Sequence, residues 1–262
     1  MDYRDKTALI TGASGGIGAE FAHTLAAEGS HLILVARSED KLAALADELA
    51  ARHGIRVEVI PADLSLPGAA ETLITEVDKR DLTVDMLINN AGFGTHGDLV
   101  DADPGRISDE VALNVATLTD LTTVYFQRMA HRGVGAIVNV ASTAGFQPIP
   151  HMAVYGATKA YVLSLSEALW WEGRQLGVKV LALCPGATDT DFFDVAGSAD
   201  AAVGARRTTR QVVDTALRAL DGGKPSVVDG VPNRIMAASN RFAPRRLVLA
   251  ITERAVRPRR RA

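Results

Sequence analysis

Thr7-Ala8-Leu9-Ile10-Thr11-Gly12-Ala13-Ser14-Gly15-Gly16-Ile17-Gly18 runs from a short apolar, β-branched stretch straight into a glycine-rich turn. The first five residues read as a buried strand, and the turn opens a helix over Ile17 to Glu28 that Gly29 closes. Small residues at such a turn let the backbone approach a pyrophosphate. The free N–H groups and positive end of the helix would hold the phosphates there. The pattern is G-x-x-x-G-x-G rather than G-x-G-x-x-G. A glycine turn alone is weak, and its place directly after a first strand gives it force.

Outward from this turn, strand and helix signals alternate. His31-Leu32-Ile33-Leu34-Val35 is a second strand, and Ser38 is placed to cap a helix from Glu39 to about Arg52. Gly54 closes that helix before a third strand, Ile55 to Ile60. Leu66-Pro67 opens a helix toward Lys79, and Asp85 to Asn89 forms a fourth strand. One long helix is expected from about Pro104 to His131, then a strand from Ala136 to Ala141. A helix from about Ala153 to Gln175, a strand from Val178 to Cys184, a helix over about Arg210–Leu220 and a short strand at Ser226–Val228 complete the series.

This alternation predicts an α/β fold, a doubly wound parallel sheet of the Rossmann type with helices on both faces. Residues 1–240 are expected to form one dinucleotide-binding and catalytic domain, and 241–262 a basic tail. In such sheets the ligand sits beyond the carboxyl ends of the strands. At the end of strand two stands Val35-Ala36-Arg37-Ser38. An NAD site wants a carboxylate there for the ribose hydroxyls, whereas a 2′-phosphate wants a cation. Ala36 carries no acid and Arg37 offers a guanidinium, so NADP(H) is expected; a solvated arginine opening a helix is the plainer alternative.

The bulk composition agrees with this. Aromatics make up only 5% of 262 residues while hydrophobic residues make up 47%, so Ala, Val, Leu and Ile must build the core. A net charge of -3 gives no whole-chain reason to expect nucleic acid. The single cysteine, Cys184, excludes an intramolecular disulfide and is read as a buried strand thiol. The six histidines are scattered without metal-ligand spacing, so no metal site is expected; His96 and His151 are candidates to border a substrate. No apolar run reaches the roughly 20 residues of a membrane span, and a cytoplasmic protein is expected.

Taken together, Thr11–Gly18, Asp63, Asn89-Asn90-Ala91-Gly92, Asn114, Ser142, Tyr155-Gly156-Ala157-Thr158-Lys159, and Pro185-Gly186 followed by Thr190 resemble the short-chain dehydrogenase/reductase family in its short single-domain branch. The resemblance covers roughly residues 5–230 and implies roles residue by residue. Gly12, Ser14, Gly15, Gly16, Ile17 and Gly18 would cradle the cofactor. Asp63 would bond the adenine amino group, with Leu64 beside it, and Asn90, Ala91 and Gly92 would line the adenine-ribose side. Asn114 would hold a water in a proton relay reaching Lys159. Pro185, Gly186, Thr188 and Thr190 would lie against the nicotinamide carboxamide, and Tyr155 and Lys159 would also touch the cofactor. The stretch Tyr155–Ser164 looks like a bacterial reductase group whose relatives act on lipid- or steroid-type ketones.

The chemistry can be argued from the side chains themselves. Tyr155 and Lys159 are four apart and share a helix face, which alone could be an ordinary surface pair. A phenol titrates near 10, and an adjacent ammonium is expected to lower that value. Tyr155 could then pass a proton to or from a substrate oxygen, with Ser142 donating a hydrogen bond to the same atom. Ser142 lacks the G-x-S-x-G surroundings of a hydrolase nucleophile. A protein that senses NADP(H) without turnover is the alternative from another class.

The stretches Phe146–Met152 and Phe192–Ser198 onward are largely apolar, so a hydrophobic ketone or secondary alcohol is expected, with the second stretch as a lid. Trp170 and Trp171, adjacent on one helix, point to a partner subunit for one of them, and the resemblance implies a homodimer or homotetramer. From Arg241 to Ala262 there are eight arginines against one glutamate, around an apolar core at Leu247–Ile251. That tail is expected either to be a solvated basic end or to touch an anionic membrane surface.

Overall fold

The computed structural model describes residues 2–197, 204–240 and 242–258. Its centre is a seven-stranded, wholly parallel sheet in the order β3-β2-β1-β4-β5-β6-β7. The strands are β1 (Thr7–Thr11), β2 (His31–Ala36), β3 (Val57–Pro61), β4 (Met86–Asn89), β5 (Gly135–Val140), β6 (Val178–Cys184) and β7 (Ser226–Val228). The order reverses direction between β1 and β4, so their carboxyl ends diverge and leave a crevice.

Period-2 alternation of the strand residues builds the two layers. Ala8 and Ile10 of β1 face one side, where they join Phe21 and Leu25 of α1 (Gly16–Ala27), Leu42 and Leu49 of α2 (Glu39–His53) and Val212 of a later helix. Leu9 faces the other side, with Leu73 of α3 (Ala69–Lys79) and residues of the helices between β4 and β5. Because both faces are covered, the strands carry apolar residues almost continuously, as parallel strands must.

Between β4 and β5 the expected single helix is three pieces: α4 (Pro104–Val111), a π-helical stretch (Ala112–Thr117) and α5 (Leu118–Arg132). Asp103 caps α4, accepting from the N–H groups of Gly105 and Arg106. The third strand starts at Val57 and α3 at Ala69, after a left-handed Gly68. Ser38 stands at the N-cap of α2 but its hydroxyl makes no cap bond.

After β5, a short 3-10 turn (Thr143–Phe146) leads toward α6 (Ala153–Gly173). Beyond β6 come α7 (Phe192–Val195), α8 (Thr209–Asp221), α9 (Val231–Ser239) and α10 (Arg245–Val256). The capping box Thr208/Gln211 starts α8. Ser198 of the expected lid, and Arg241 and Arg259–Arg261 of the tail, lie outside the described residues. Among the described residues no helix is long and apolar enough to cross a membrane, and no cluster of side chains could hold a metal ion.

Candidate active site

The carboxyl end of β1 turns at Gly12, whose φ of 67° is left-handed and open to glycine at little cost. Gly18 is packed so closely that an added Cβ would overlap the Gly12 carbonyl. The first turn of α1 has no side-chain cap and no acidic residue. Above Gly15 there is open space where a Cβ would otherwise stand. Uncapped N–H groups at the positive end of a helix beneath an open cradle fit a pyrophosphate.

This cradle is one end of a cavity of about 420 Å³. Gly12, Ser14, Gly15, Gly16 and Ile17 line it at that end, and Asn90, Ala91 and Gly92 border it from the end of β4. The Asn90 side chain is already engaged, its Nδ2 donating to the carbonyls of Thr11 (3.0 Å) and Gly12 (3.2 Å). It therefore ties β4 to the glycine turn. Opposite stands the segment after β6, where Pro185, Gly186, Thr188 and Thr190 line the cavity; Thr190 comes close enough to limit any side chain at Gly16.

Three expected contacts lie off this cavity, at the ends of β2 and β3. Arg37 is exposed, Leu64 is buried, and Asp63 holds the N–H and hydroxyl of Ser65. Those two bonds, more than the nearby Arg37 charge, keep the Asp63 carboxyl below its ordinary range. The adjacency of Arg37 and Asp63 leaves a cation at the outer end of the groove and no carboxylate at position 36.

In the middle of the cavity, β5 delivers Ser142 and α6 delivers Tyr155 and Lys159. Tyr155 is 9% and Lys159 5% exposed, so the pair is not a surface pair. Lys159 Nζ donates to the Val140 carbonyl at 2.8 Å and lies 5.8 Å from the centre of the Tyr155 ring. Burial pushes the Tyr155 phenol up to about 12, partly opposed by the Ser142 hydroxyl, and pulls Lys159 down to about 8. The depression of the phenol expected from its ammonium neighbour thus does not occur in the protein alone, because both groups share one poorly solvated site.

Asn114 is fully buried in the π-helical stretch. Its Nδ2 donates to the Phe93 carbonyl (2.8 Å) and Thr158 Oγ1 (3.2 Å), and its Oδ1 accepts the Phe93 N–H. A Cβ added at Gly92 would lie 2.8 Å from Asn114 Oδ1 and 3.5 Å from Lys159 Nζ, which sets both groups beside Gly92. The extra residue of the π turn aims Asn114 inward at this point.

The far end of the cavity is apolar. Ile149, Met152, Phe192 and Phe193 line it, and Phe192 tilts against Tyr155 with ring centres 5.2 Å apart. Its roof is not legible in the sequence: Met236 of α9 and Ile251, Ala255 and Val256 of α10 close it. The described part of the tail, residues 242–258, therefore packs on the chamber. His96 Nε2 donates to the Val256 carbonyl at 2.7 Å, and Thr252 Oγ1 donates to the Pro148 carbonyl. His151 contacts Asp98 (2.6 Å) and Glu253 (3.6 Å). The two histidines thus fasten α10 instead of facing the cavity, where neither is found. Cys184 is buried on β6 as expected.

The short chain dehydrogenase family matches residues 6–200. The chain belongs to this family. A Streptomyces violaceoruber protein named for ketoacyl reduction in granaticin polyketide synthesis is 37% identical over 195 residues, covering 71% of this chain and 69% of that one. The 7beta-hydroxysteroid dehydrogenase of Collinsella aerofaciens is 31% identical over 241 residues, covering 89% of this chain and 90% of its own. Among solved structures, a short-chain dehydrogenase from Sphingobium yanoikuyae in complex with NADPH superposes with a TM-score of 0.82 at 36% identity, covering 90% of this chain and 93% of that one. The chain is thus an oxidoreductase of a family acting on CH–OH and C=O groups.

Proposed function

We propose that this dehydrogenase uses NADP(H) to interconvert a bulky apolar ketone and its secondary alcohol, with Tyr155 as the acid/base. The observation that carries this reading is one continuous cavity joining the Gly12–Ile17 cradle, the Ser142–Tyr155–Lys159 group and an apolar chamber. NADPH seated on the cradle supplies the hydride. Arg37 takes the 2′-phosphate, and the α1 N–H groups take the pyrophosphate. Burial keeps Tyr155 protonated at neutral pH, the form that gives a proton to the substrate oxygen. Ser142 donates a hydrogen bond to that oxygen, and Lys159 holds positive charge beneath it. Phe192 and Phe193 exclude water from the reacting carbon. The NADPH complex of the Sphingobium protein and the steroid named for the Collinsella protein support the cofactor and the substrate size.

The test is NADPH oxidation against steroid, ketoacyl-ester and aromatic ketones beside small polar and phosphorylated carbonyls. Turnover concentrated on the bulky apolar ketones is expected; turnover of only the small polar set would refute the substrate class, and none at all would favour an NADP(H) sensor. Arg37→Ala should raise KM for NADPH about tenfold or more, the loss of about 1.4 kcal/mol of phosphate contact, with KM for NADH little changed.

Exposed side chains bear on assembly and location. Trp171 is 66% exposed on α6 and Val111 is exposed at the end of α4, which supports pairing of subunits through these helices. A monomer mass by light scattering at micromolar concentration would contradict that. Ile235, Phe242, Leu247 and Ile251 are exposed around α9 and α10 beside Arg234, Arg245, Arg246 and Arg254. This apolar and cationic surface at the chamber roof fits an anionic membrane face. Co-sedimentation with anionic vesicles should disappear when the chain is ended after Pro244.

A further inference from the structure

Asp229 follows directly on β7, is fully buried and does not line the cavity. Acids are almost never buried so completely without a partner. Here the partner is Arg207, whose Nε donates to Asp229 Oδ2. Thr215 Oγ1 of α8 donates to Oδ1 at 2.8 Å, and Asn233 Nδ2 of α9 donates to the Asp229 carbonyl at 2.8 Å. Arg207 and Asn233 both lead on to the wall of the cavity. The Arg207 N–H donates to the Ala187 carbonyl and its carbonyl accepts the Asp189 N–H, each at 2.9 Å, so that Arg207 runs parallel to Thr188. Asn233 packs on the start of the same segment, where a Cβ added at Gly186 would lie 2.3 Å from Asn233 Nδ2. Gly186, Ala187 and Thr188 line the cavity. Two routes from one buried acid therefore reach both ends of the segment 186–189. Gly230 leaves room for them: its φ is 84°, and a Cβ there would lie 3.1 Å from Arg207 Cδ and 3.3 Å from Asn233 Nδ2.

We propose that Asp229 and Arg207 are positioning residues for the reaction, a buried ion pair that fixes segment 186–189 and, through it, the place of the nicotinamide ring beside Tyr155. This deepens the functional reading above and rests on it: NADPH lying along the cavity from the cradle to Tyr155 brings its nicotinamide end against this segment. Segment 186–189 belongs to no strand or helix, and the bridge between Thr188 and Arg207 is the backbone pairing that holds it. A well-packed apolar pair could supply the same stability as a buried ion pair. What the charges add is direction. Guanidinium and carboxylate meet in one geometry, which keeps the Arg207 backbone in one register against Thr188. A displacement of about 1 Å in a reacting group can cost on the order of 100-fold in rate, so a register held this way bears on hydride transfer and not only on folding.

The test compares wild type with Asp229→Asn, Arg207→Met and Arg207→Lys, through one readout without turnover and one with it. NADPH and 2′,5′-ADP, which carries the adenosine phosphates but no nicotinamide, are titrated by calorimetry. The affinity advantage of NADPH over 2′,5′-ADP should shrink about threefold or more in Asp229→Asn and Arg207→Met, with 2′,5′-ADP affinity itself within about twofold of wild type. Single-turnover hydride transfer to an apolar ketone should slow by about tenfold or more in the same two variants. Arg207→Lys, which keeps a cation for Asp229, should recover part of both. Either readout at its wild-type value in folded Asp229→Asn and Arg207→Met overturns the proposal. A joint loss of 2′,5′-ADP affinity and rate also overturns it, since that marks general destabilisation. If the single variants do not fold, the double variant Arg207→Met/Asp229→Leu removes both charges and is read in the same way. Failure of that one as well makes the pair a requirement of the fold and overturns the proposal. Wild type that reduces no ketone removes the functional reading and the proposal with it, a result recognised in wild type alone.

Discussion

Tyr155 and Lys159 show how much of a site can be read from residue types and how much only from burial. Their i, i+4 spacing was legible in the sequence, whereas their protonation was not, because that depends on the desolvation of both groups at 9% and 5% exposure. The same burial acts on stability. Lys159 is a buried ammonium with one hydrogen bond to protein, to Val140, and its titration is lowered from 10.5 to about 8. The folded state therefore holds this proton less tightly than the unfolded chain, and below pH 8 the charged lysine destabilises the fold. Each pH unit between the folded and unfolded titration points is worth about 1.36 kcal/mol. Lys159→Met should therefore abolish turnover yet raise stability at pH 7 by about 1–3 kcal/mol. The advantage should shrink as pH rises from about 8 toward 10.5, where the wild-type lysine is neutral in both states. Denaturant unfolding at pH 7 and pH 10 measures it, and a gain that is constant with pH would contradict this origin.

At the scale of elements, periodicity located every strand and missed the features that depend on tertiary contacts. The apolar spacing of residues 104–131 is that of one helix, and nothing local announces the π-helical turn at Ala112–Thr117. It coincides with the buried network of Asn114 with Phe93 and Thr158, residues distant in sequence. Likewise the polar group Asn89, Thr122, Asn139 and Ser166, joined by hydrogen bonds of 2.9–3.3 Å inside the sheet layer, sits in strands and helices that read as apolar. The apolar core at Leu247–Ile251 was legible, but the docking of α10 depends on His96, Pro148 and His151, which no pattern links to it. Ending the chain after Pro244 should raise KM for bulky ketones about tenfold or more, a loss of about 1.4 kcal/mol, while NADPH binding stays within about twofold. Steady-state kinetics and cofactor fluorescence separate the two, and an unchanged KM would show that α10 is no part of the chamber.

For the molecule as a whole, the alternation of strands and helices was sufficient to place the site. The order reversal between β1 and β4 opens the crevice, and the loops after β1, β4, β5 and β6 all deliver their residues to it. The position of Arg37 and Asp63 at the outer end follows from the same topology, since β2 pairs with β1 and β3 with β2. What topology leaves open is which group moves the proton, a role proposed above for Tyr155. Single-turnover mixing of the Tyr155→Phe variant and wild type with NADPH and an apolar ketone tests it most directly. Unchanged NADPH affinity is expected, with loss of NADPH absorbance slower by at least about 100-fold, the lower end of the range for removing a general acid. Hydride transfer at the wild-type rate in that variant would contradict it.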